Sequence, residues 1–237
     1  MNGLTRRALA ELVGTALLVA TVVGSGIAAS RLSPDDVGLQ LLENALATGA
    51  VLTALIIALQ PVSAAFNPVV TLAERWLGVI GWREAGVLVG AQAAGGILGT
   101  VLANLMFDLP AVGISTHQRT GAGLWLAEVV ATAGLLLVIF GTARSGRKDM
   151  IAVAVGGYIT AAYWFTSSTS FANPAVTVAR MFSDTFAGIA PASVLPFLAM
   201  QVLGGVLAAV LIRLLYPRAE QVAADITTEN TTEGHTR

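Results

Sequence analysis

The 237-residue chain has no cysteine, few charged residues and only two histidines. Without cysteine, the chain can form no disulfide, no thiol nucleophile and no thiolate metal site. Charged residues make up 11% of the chain, whereas a soluble domain carries about 25%. Neither His117 nor His235 has further metal ligands around it. We therefore expect neither a metal nor a cofactor.

Apolar residues are abundant instead, at 55% of the chain, with a mean hydropathy of +0.77. A bilayer-crossing helix needs about 20 such residues, and the chain has six apolar runs of about that length. They lie at residues 8–30, 37–59, 84–107, 121–143, 150–166 and 192–215. The chain is therefore predicted to be an all-α membrane protein with six transmembrane helices, whose partner is the lipid bilayer.

The dipeptide Asn-Pro occurs twice, in the segments Asn67-Pro68-Val69 and Asn173-Pro174-Ala175. Asn is a preferred helix N-cap and Pro suits the first helical position, so each pair should begin a helix. Both lie in very hydrophobic surroundings, where a helix that begins in mid-sequence begins in mid-membrane. Two such re-entrant half-helices, facing each other with their positive N-terminal ends, are typical of a channel for polar solutes.

Three landmarks recur in the same order along the chain: a Glu followed four residues later by Thr, an Asn-Pro pair, and a Gln followed by Gly-Gly. The glutamates are Glu11 and Glu128, and the glutamines are Gln92 and Gln201. Each half has three spans and one half-helix, so the second half enters the membrane from the opposite side. This predicts an inverted repeat, with a first repeat at 1–118, a second at 119–216 and a disordered cytoplasmic tail at 217–237.

Glu11 and Glu128 lie in or near the first and fourth spans. An ionisable group at membrane depth is costly and usually functional, so one interpretation is a proton-coupled transporter. The other is that each carboxylate accepts hydrogen bonds from unpaired backbone N–H groups in the loops that carry the half-helices. Their symmetric placement, once per repeat, favours this supporting role.

Lys and Arg near the ends of the spans predict the orientation. One side carries Arg6, Arg7, Arg75, Arg83, Arg144, Arg147, Lys148, Arg213 and Arg218, and the other carries Arg31, Arg119 and Arg180. This asymmetry predicts that both termini are cytoplasmic in a multi-pass protein of the plasma (cell inner) membrane.

Together, the Asn-Pro pairs, Glu11 with Thr15, Gln92 with its Gly-Gly, and their second-half counterparts resemble the aquaporin and glycerol-channel superfamily. The resemblance covers about residues 8–215. It implies a separate pore in each protomer of a homotetramer, with no nucleic-acid partner. It also implies that the Asn67 and Asn173 amides donate hydrogen bonds to passing solute at the pore midpoint. In the family, the residues matching Glu11 and Glu128 hold the pore loops.

Water and glycerol channels of this family have Arg immediately after the second Asn-Pro-Ala, but this chain has Val176. Counting from the motifs gives the other members of the selectivity filter as Ala47 or Thr48, Ala161 and Ser170. All are small, and none is charged or aromatic. Because selectivity depends on pore diameter, lining donors and electrostatic barriers, the pore is predicted to be wider than a water channel.

Arg180 follows Val176 by four residues, so it lies one helical turn further along the same face. It could border the outer vestibule and favour neutral or anionic solutes there. Alternatively, it reaches the membrane interface or pairs with Asp184.

The segment after Asn173, with small filter residues, looks like a bacterial subgroup encoded beside arsenic-resistance genes. The leading prediction is a passive channel for small uncharged solutes, namely metalloid hydroxides such as arsenous acid, polyols such as glycerol, and some water. The alternatives are a secondary transporter that uses Glu11 or Glu128 for proton coupling, and a sealed scaffold. No enzyme is expected, because no nucleophile–base pair or metal cluster falls at membrane depth.

Overall fold

The computed structural model describes residues 3–216, which form eight α-helices, a short 3₁₀ helix and no strand. The helices are α1 (Gly3–Leu32), α2 (Val37–Leu59), α3 (Pro68–Trp76), α4 (Trp82–Met106), α5 (Ala122–Arg144), α6 (Ile151–Phe165), α7 (Pro174–Arg180) and α8 (Pro191–Leu215). The predicted all-α fold is confirmed. The tail predicted at 217–237 lies outside the described residues.

Five of the helices, α1, α2, α4, α5 and α8, are long and apolar enough to cross a bilayer. The sixth predicted span, α6, has 15 residues, which corresponds to about 22 Å of helix. After α6 the chain turns back in non-helical conformation and reaches the second Asn-Pro pair at residue 173.

The half-helices α3 and α7 begin as their sequence predicts. Asn67 Oδ1 accepts a hydrogen bond from the Val69 backbone N–H at 3.0 Å, and Asn173 Oδ1 accepts from that of Ala175 at 3.0 Å. Both asparagines have extended backbone, and Pro occupies the first helical position in each case. The caps satisfy N–H groups that apolar surroundings would otherwise leave unpaired.

Glycines bring the long helices into close contact in the same way in both halves. A Cβ on Gly95 of α4 would lie 2.2 Å from the Leu12 carbonyl oxygen of α1, and a Cβ on Gly204 of α8 would lie 2.6 Å from that of Val129 in α5. Lipid removes the hydrophobic drive between helices, so close backbone packing has to hold them together.

Each half-helix also packs against a glycine of the other half. A Cβ on Gly205 of α8 would lie 2.5 Å from Val69 Cγ1 of α3, and one on Gly96 of α4 would lie 3.1 Å from the Ala175 carbonyl oxygen of α7. Gly205 therefore provides the room that the larger Val69 needs.

Replacing Gly205 with Ala should destabilise the protein by about 1–3 kcal/mol, because the new methyl would overpack Val69. Adding Val69→Ala should restore most of the loss. The measurement is the thermal unfolding midpoint in detergent for both single variants and the double variant. Gly204→Ala is the matched control: its methyl would meet a backbone oxygen, so Val69→Ala should not rescue it. A double variant as unstable as Gly205→Ala alone would show that the two residues are not coupled.

Candidate pore

A cavity of about 400 Å³ lies along the two half-helices. Its lining begins at Arg7 and Glu74, on the side where α1 starts, passes Asn67 and Asn173, and extends to Arg180. Apolar side chains of α2 and α6 complete the wall. A lining with a few polar groups on an otherwise apolar surface is what a pathway for small polar solutes needs.

The two Asn-Pro loops are tied to each other by reciprocal hydrogen bonds. Asn67 Nδ2 donates to the Ala172 carbonyl at 2.8 Å, and Asn173 Nδ2 donates to the Phe66 carbonyl at 2.7 Å. An amide nitrogen has two N–H groups, so each Asn retains one donor where it lines the cavity. The arrangement places two fixed donors at the meeting point of the half-helices.

The residues just before the asparagines have unusual backbone conformations. Phe66 has φ of +48° and Ala172 has φ of +46°, in the left-handed region that residues other than glycine rarely adopt. This conformation turns each carbonyl toward the Asn of the opposite loop. Sequence reasoning missed it, because neither residue is a Gly or Asn that would signal a left-handed turn.

Glu11 holds the first loop. Its Oε1 accepts from Ser63 Oγ at 2.5 Å and from the Ala65 N–H at 2.9 Å, while Oε2 accepts from the Phe66 N–H at 2.7 Å and from Gln92 Nε2 at 2.8 Å. The carboxylate is fully buried and lies outside the cavity lining. Four hydrogen bonds offset the cost of burying its charge.

Glu128 does the same for the second loop. It accepts from the Phe171 N–H at 3.0 Å, the Ala172 N–H at 2.9 Å and Gln201 Nε2 at 2.6 Å. It too is fully buried and outside the cavity lining. Sequence reasoning used Gln92 and Gln201 only as markers of the repeat, and it missed their role in binding the two carboxylates.

Three of the predicted filter residues lie at the cavity: Thr48, Ser170 and Val176 all line it. Of the two alternatives on α2, Thr48 is buried at the cavity, whereas Ala47 is half-buried and does not line it.

The prediction of Ala161 is wrong. Its side chain is exposed on the outer face of α6, and Tyr163 lines the cavity instead. The Tyr163 hydroxyl donates to Thr48 Oγ1 at 3.2 Å. Counting back from Asn173 assumed a fixed loop length, and an error of two residues rotates the position by about 200° around a helix. An aromatic side chain therefore stands beside Thr48 at the cavity, where the sequence predicted small residues alone.

Arg180 is 2% exposed and lines the cavity. Its Nε donates to the Ala187 carbonyl, and its guanidinium carbon lies 3.5 Å from the centroid of the Phe171 ring. The alternatives for this residue are wrong: its side chain is buried at the cavity and not exposed on an outer face, and Asp184 instead accepts from Thr116 at 2.8 and 3.0 Å. A charged group thus stands at one end of the cavity.

Five helices long and apolar enough to cross a bilayer, the shorter α6 and two half-helices that meet at a cavity define a multi-pass membrane channel. The sequence model of the family "Major intrinsic protein" matches residues 2–161 and 147–236. The chain belongs to the major intrinsic protein family, and it is therefore a channel for small solutes and not an enzyme.

Individual relatives agree with this assignment. The chain is 50% identical over 220 residues to aquaglyceroporin AqpS of Rhizobium meliloti (strain 1021), covering 92% of this chain and 94% of that protein. It is 31% identical over 252 residues to aquaporin AqpM of Methanothermobacter thermautotrophicus, covering 91% and 98%. The X-ray structure of the aquaglyceroporin from Plasmodium falciparum matches with a TM-score of 0.71 at 18% identity, covering 92% of this chain and 99% of that one. This last likeness supports the fold alone.

Proposed function

We propose that the protein is a passive channel for small uncharged solutes larger than water, including polyols such as glycerol and metalloid hydroxides such as arsenous acid, with some water flux. The observation that carries the proposal is Val176. It lines the cavity at the position directly after the second Asn-Pro-Ala, where a guanidinium would narrow the path. The relative named an aquaglyceroporin, at 50% identity, supports polyols as solutes.

Electrostatics at the midpoint favours uncharged solutes. The N-terminal end of a helix carries about half a positive charge, and α3 and α7 both begin at the cavity. Cations should be repelled there, while the free N–H groups of Asn67 and Asn173 can donate to a hydroxyl oxygen. Arsenous acid is a neutral triol of about glycerol's size, so the same path would suit both.

A transporter that couples protons through Glu11 or Glu128 gains no support from the geometry. Both carboxylates are fully buried, bound to loop N–H groups and separated from the cavity lining. We assign them the role of holding the pore loops in shape.

We further propose an inner-membrane location with cytoplasmic termini, and a homotetramer with one pore per protomer. The excess of Lys and Arg on the side of the termini supports the orientation. The matching contacts of Glu11 and Glu128 support two inverted repeats at 1–118 and 119–216. The tetramer follows from the family resemblance.

Stopped-flow light scattering on proteoliposomes tests the proposal. Vesicles with and without the protein are exposed to gradients of water, glycerol and arsenous acid. We expect flux of all three that does not saturate with concentration and does not respond to a pH gradient. Water flux alone would contradict the wide pore, and saturating flux driven by a pH gradient would favour the transporter.

A further inference from the structure

The cavity end at Arg180 has polar groups that the described residues leave wholly or partly without hydrogen-bond partners. Ser170 is 4% exposed, lines the cavity, and its Oγ has no hydrogen-bond partner among the described residues. The Thr48 hydroxyl accepts from Tyr163 and donates to no group within residues 3–216. A buried hydroxyl without a partner is costly, so both hydroxyls would gain from a hydrogen bond to a ligand at this end of the cavity.

The guanidinium of Arg180 is oriented but not neutralised. Its Nε donates to the Ala187 carbonyl and its guanidinium carbon lies over the Phe171 ring. Within residues 3–216 it forms no ion pair, and its two Nη groups donate to no protein acceptor. The ring face partly compensates the charge, while the Nη donors remain available to the cavity.

A second cation, Arg119, contacts the same ring. The Arg119 guanidinium is 5.0 Å from the Phe171 centroid, and its Nε and Nη2 donate to the Gly188 and Phe186 carbonyls at 2.9 and 3.3 Å. Burial lowers the pKa of Arg119 to about 10, which leaves it cationic at neutral pH. Arg119 lies outside the cavity lining and donates to loop carbonyls. Its charge therefore adds positive potential near this end of the cavity without contacting a solute there.

We propose that Arg180 supplies the charged donor of the outer constriction from one turn beyond Val176, and that with Ser170 and Thr48 it forms a binding subsite for neutral solutes with two or more hydroxyl groups. The inference rests on the proposed channel function and names the residues that set its selectivity. A solute with several oxygens can accept hydrogen bonds from the Arg180 Nη groups and at the same time form hydrogen bonds with the Ser170 and Thr48 hydroxyls. A single water molecule cannot do both. The same charge excludes cations.

The test compares the glycerol-to-water flux ratio and the sodium leak of proteoliposomes containing Arg180→Met, Arg180→Lys and Ser170→Ala. Loss of a charged donor should lower the ratio about tenfold in Arg180→Met, and loss of a neutral one about fivefold in Ser170→Ala. Sodium leak should rise above the wild-type level in Arg180→Met only, while the half-helix ends at the midpoint still limit it. Arg180→Lys keeps the charge but loses the two-pronged donor, so it should exclude sodium and still show a lower ratio.

Arg31→Met is the matched control. Arg31 also donates to a backbone carbonyl, that of Phe107 at 2.7 Å, and lies 5.3 Å from an aromatic ring, but it is outside the cavity lining. It should leave the ratio and the leak unchanged. If Arg180→Met does not fold, the glycerol-to-water flux ratios of Arg180→Lys and Ser170→Ala test the subsite instead.

Two results overturn the subsite in different ways. If the wild-type protein conducts glycerol, and the variants keep its glycerol-to-water flux ratio and show no added sodium leak, the subsite alone is overturned. A wild-type protein that conducts no glycerol would overturn the proposed function and the subsite with it.

Discussion

Val176→Arg should reduce glycerol flux by at least about tenfold while leaving water flux within about threefold of wild type, because a narrower, charged constriction still passes water. Val176 is buried against the cavity, so the longer side chain has to enter the path. It would also stand one turn from Arg180, and repulsion between the two guanidiniums would hold the new one toward the lumen. Stopped-flow measurement of both fluxes on the same vesicles checks the result.

Val176→Thr is the control, because Thr has nearly the same shape and adds no charge. It should keep both fluxes near wild type. If Val176→Arg instead lost water and glycerol equally, the side chain would be blocking or unfolding the pore, and Val176 would not determine solute size.

The helices could be predicted from sequence because lipid imposes a strict rule on composition. Apolar runs at 37–59 and 192–215 correspond to α2 (Val37–Leu59) and α8 (Pro191–Leu215). The first run, at 8–30, was too short at its start, since α1 begins at Gly3. The start of α1 carries Arg6 and Arg7, which lower its hydropathy, so an apolar run does not include it. The helix tolerates these side chains because they can reach the membrane surface.

The cavity lining was harder to predict, because it depends on rotation about helix axes and on loop paths. Spacing identified Ser170 and Val176, which lie three residues on either side of a fixed point, Asn173. It failed for Ala161, where a loop of unknown length intervened and Tyr163 took the position.

Contacts between distant parts of the chain were outside the reach of local patterns. Arg119 and Arg180 come from separate segments and meet on the ring of Phe171. The left-handed backbone at Phe66 and Ala172 arises because each residue donates to a buried Glu and accepts from the opposite Asn. No single-residue preference encodes such paired constraints.

Glu128→Gln should destabilise the folded protein by roughly 3–5 kcal/mol, because breaking a buried charged network leaves donors unpaired. The new amide would place an N–H group where a carboxylate oxygen now accepts from Phe171 or from Ala172 and Gln201. At least one backbone N–H would lose its partner, and the second Asn-Pro loop would lose its shape. The measurement is the yield of folded protein and its thermal unfolding midpoint in detergent.

Glu43→Gln is the comparison that isolates the network. Glu43 accepts one hydrogen bond, from Ser33 Oγ at 3.0 Å, and its other oxygen has no partner within the described residues. Glu43→Gln should therefore lower the free energy of unfolding much less than Glu128→Gln does, although both changes remove one negative charge from a membrane helix. Equal losses of stability in the two variants would mean that removal of the charge, and not of the hydrogen-bond network, causes the loss. A Glu128→Gln protein that folds normally but conducts with altered pH dependence would instead assign Glu128 to proton coupling, since its structural role would then be dispensable.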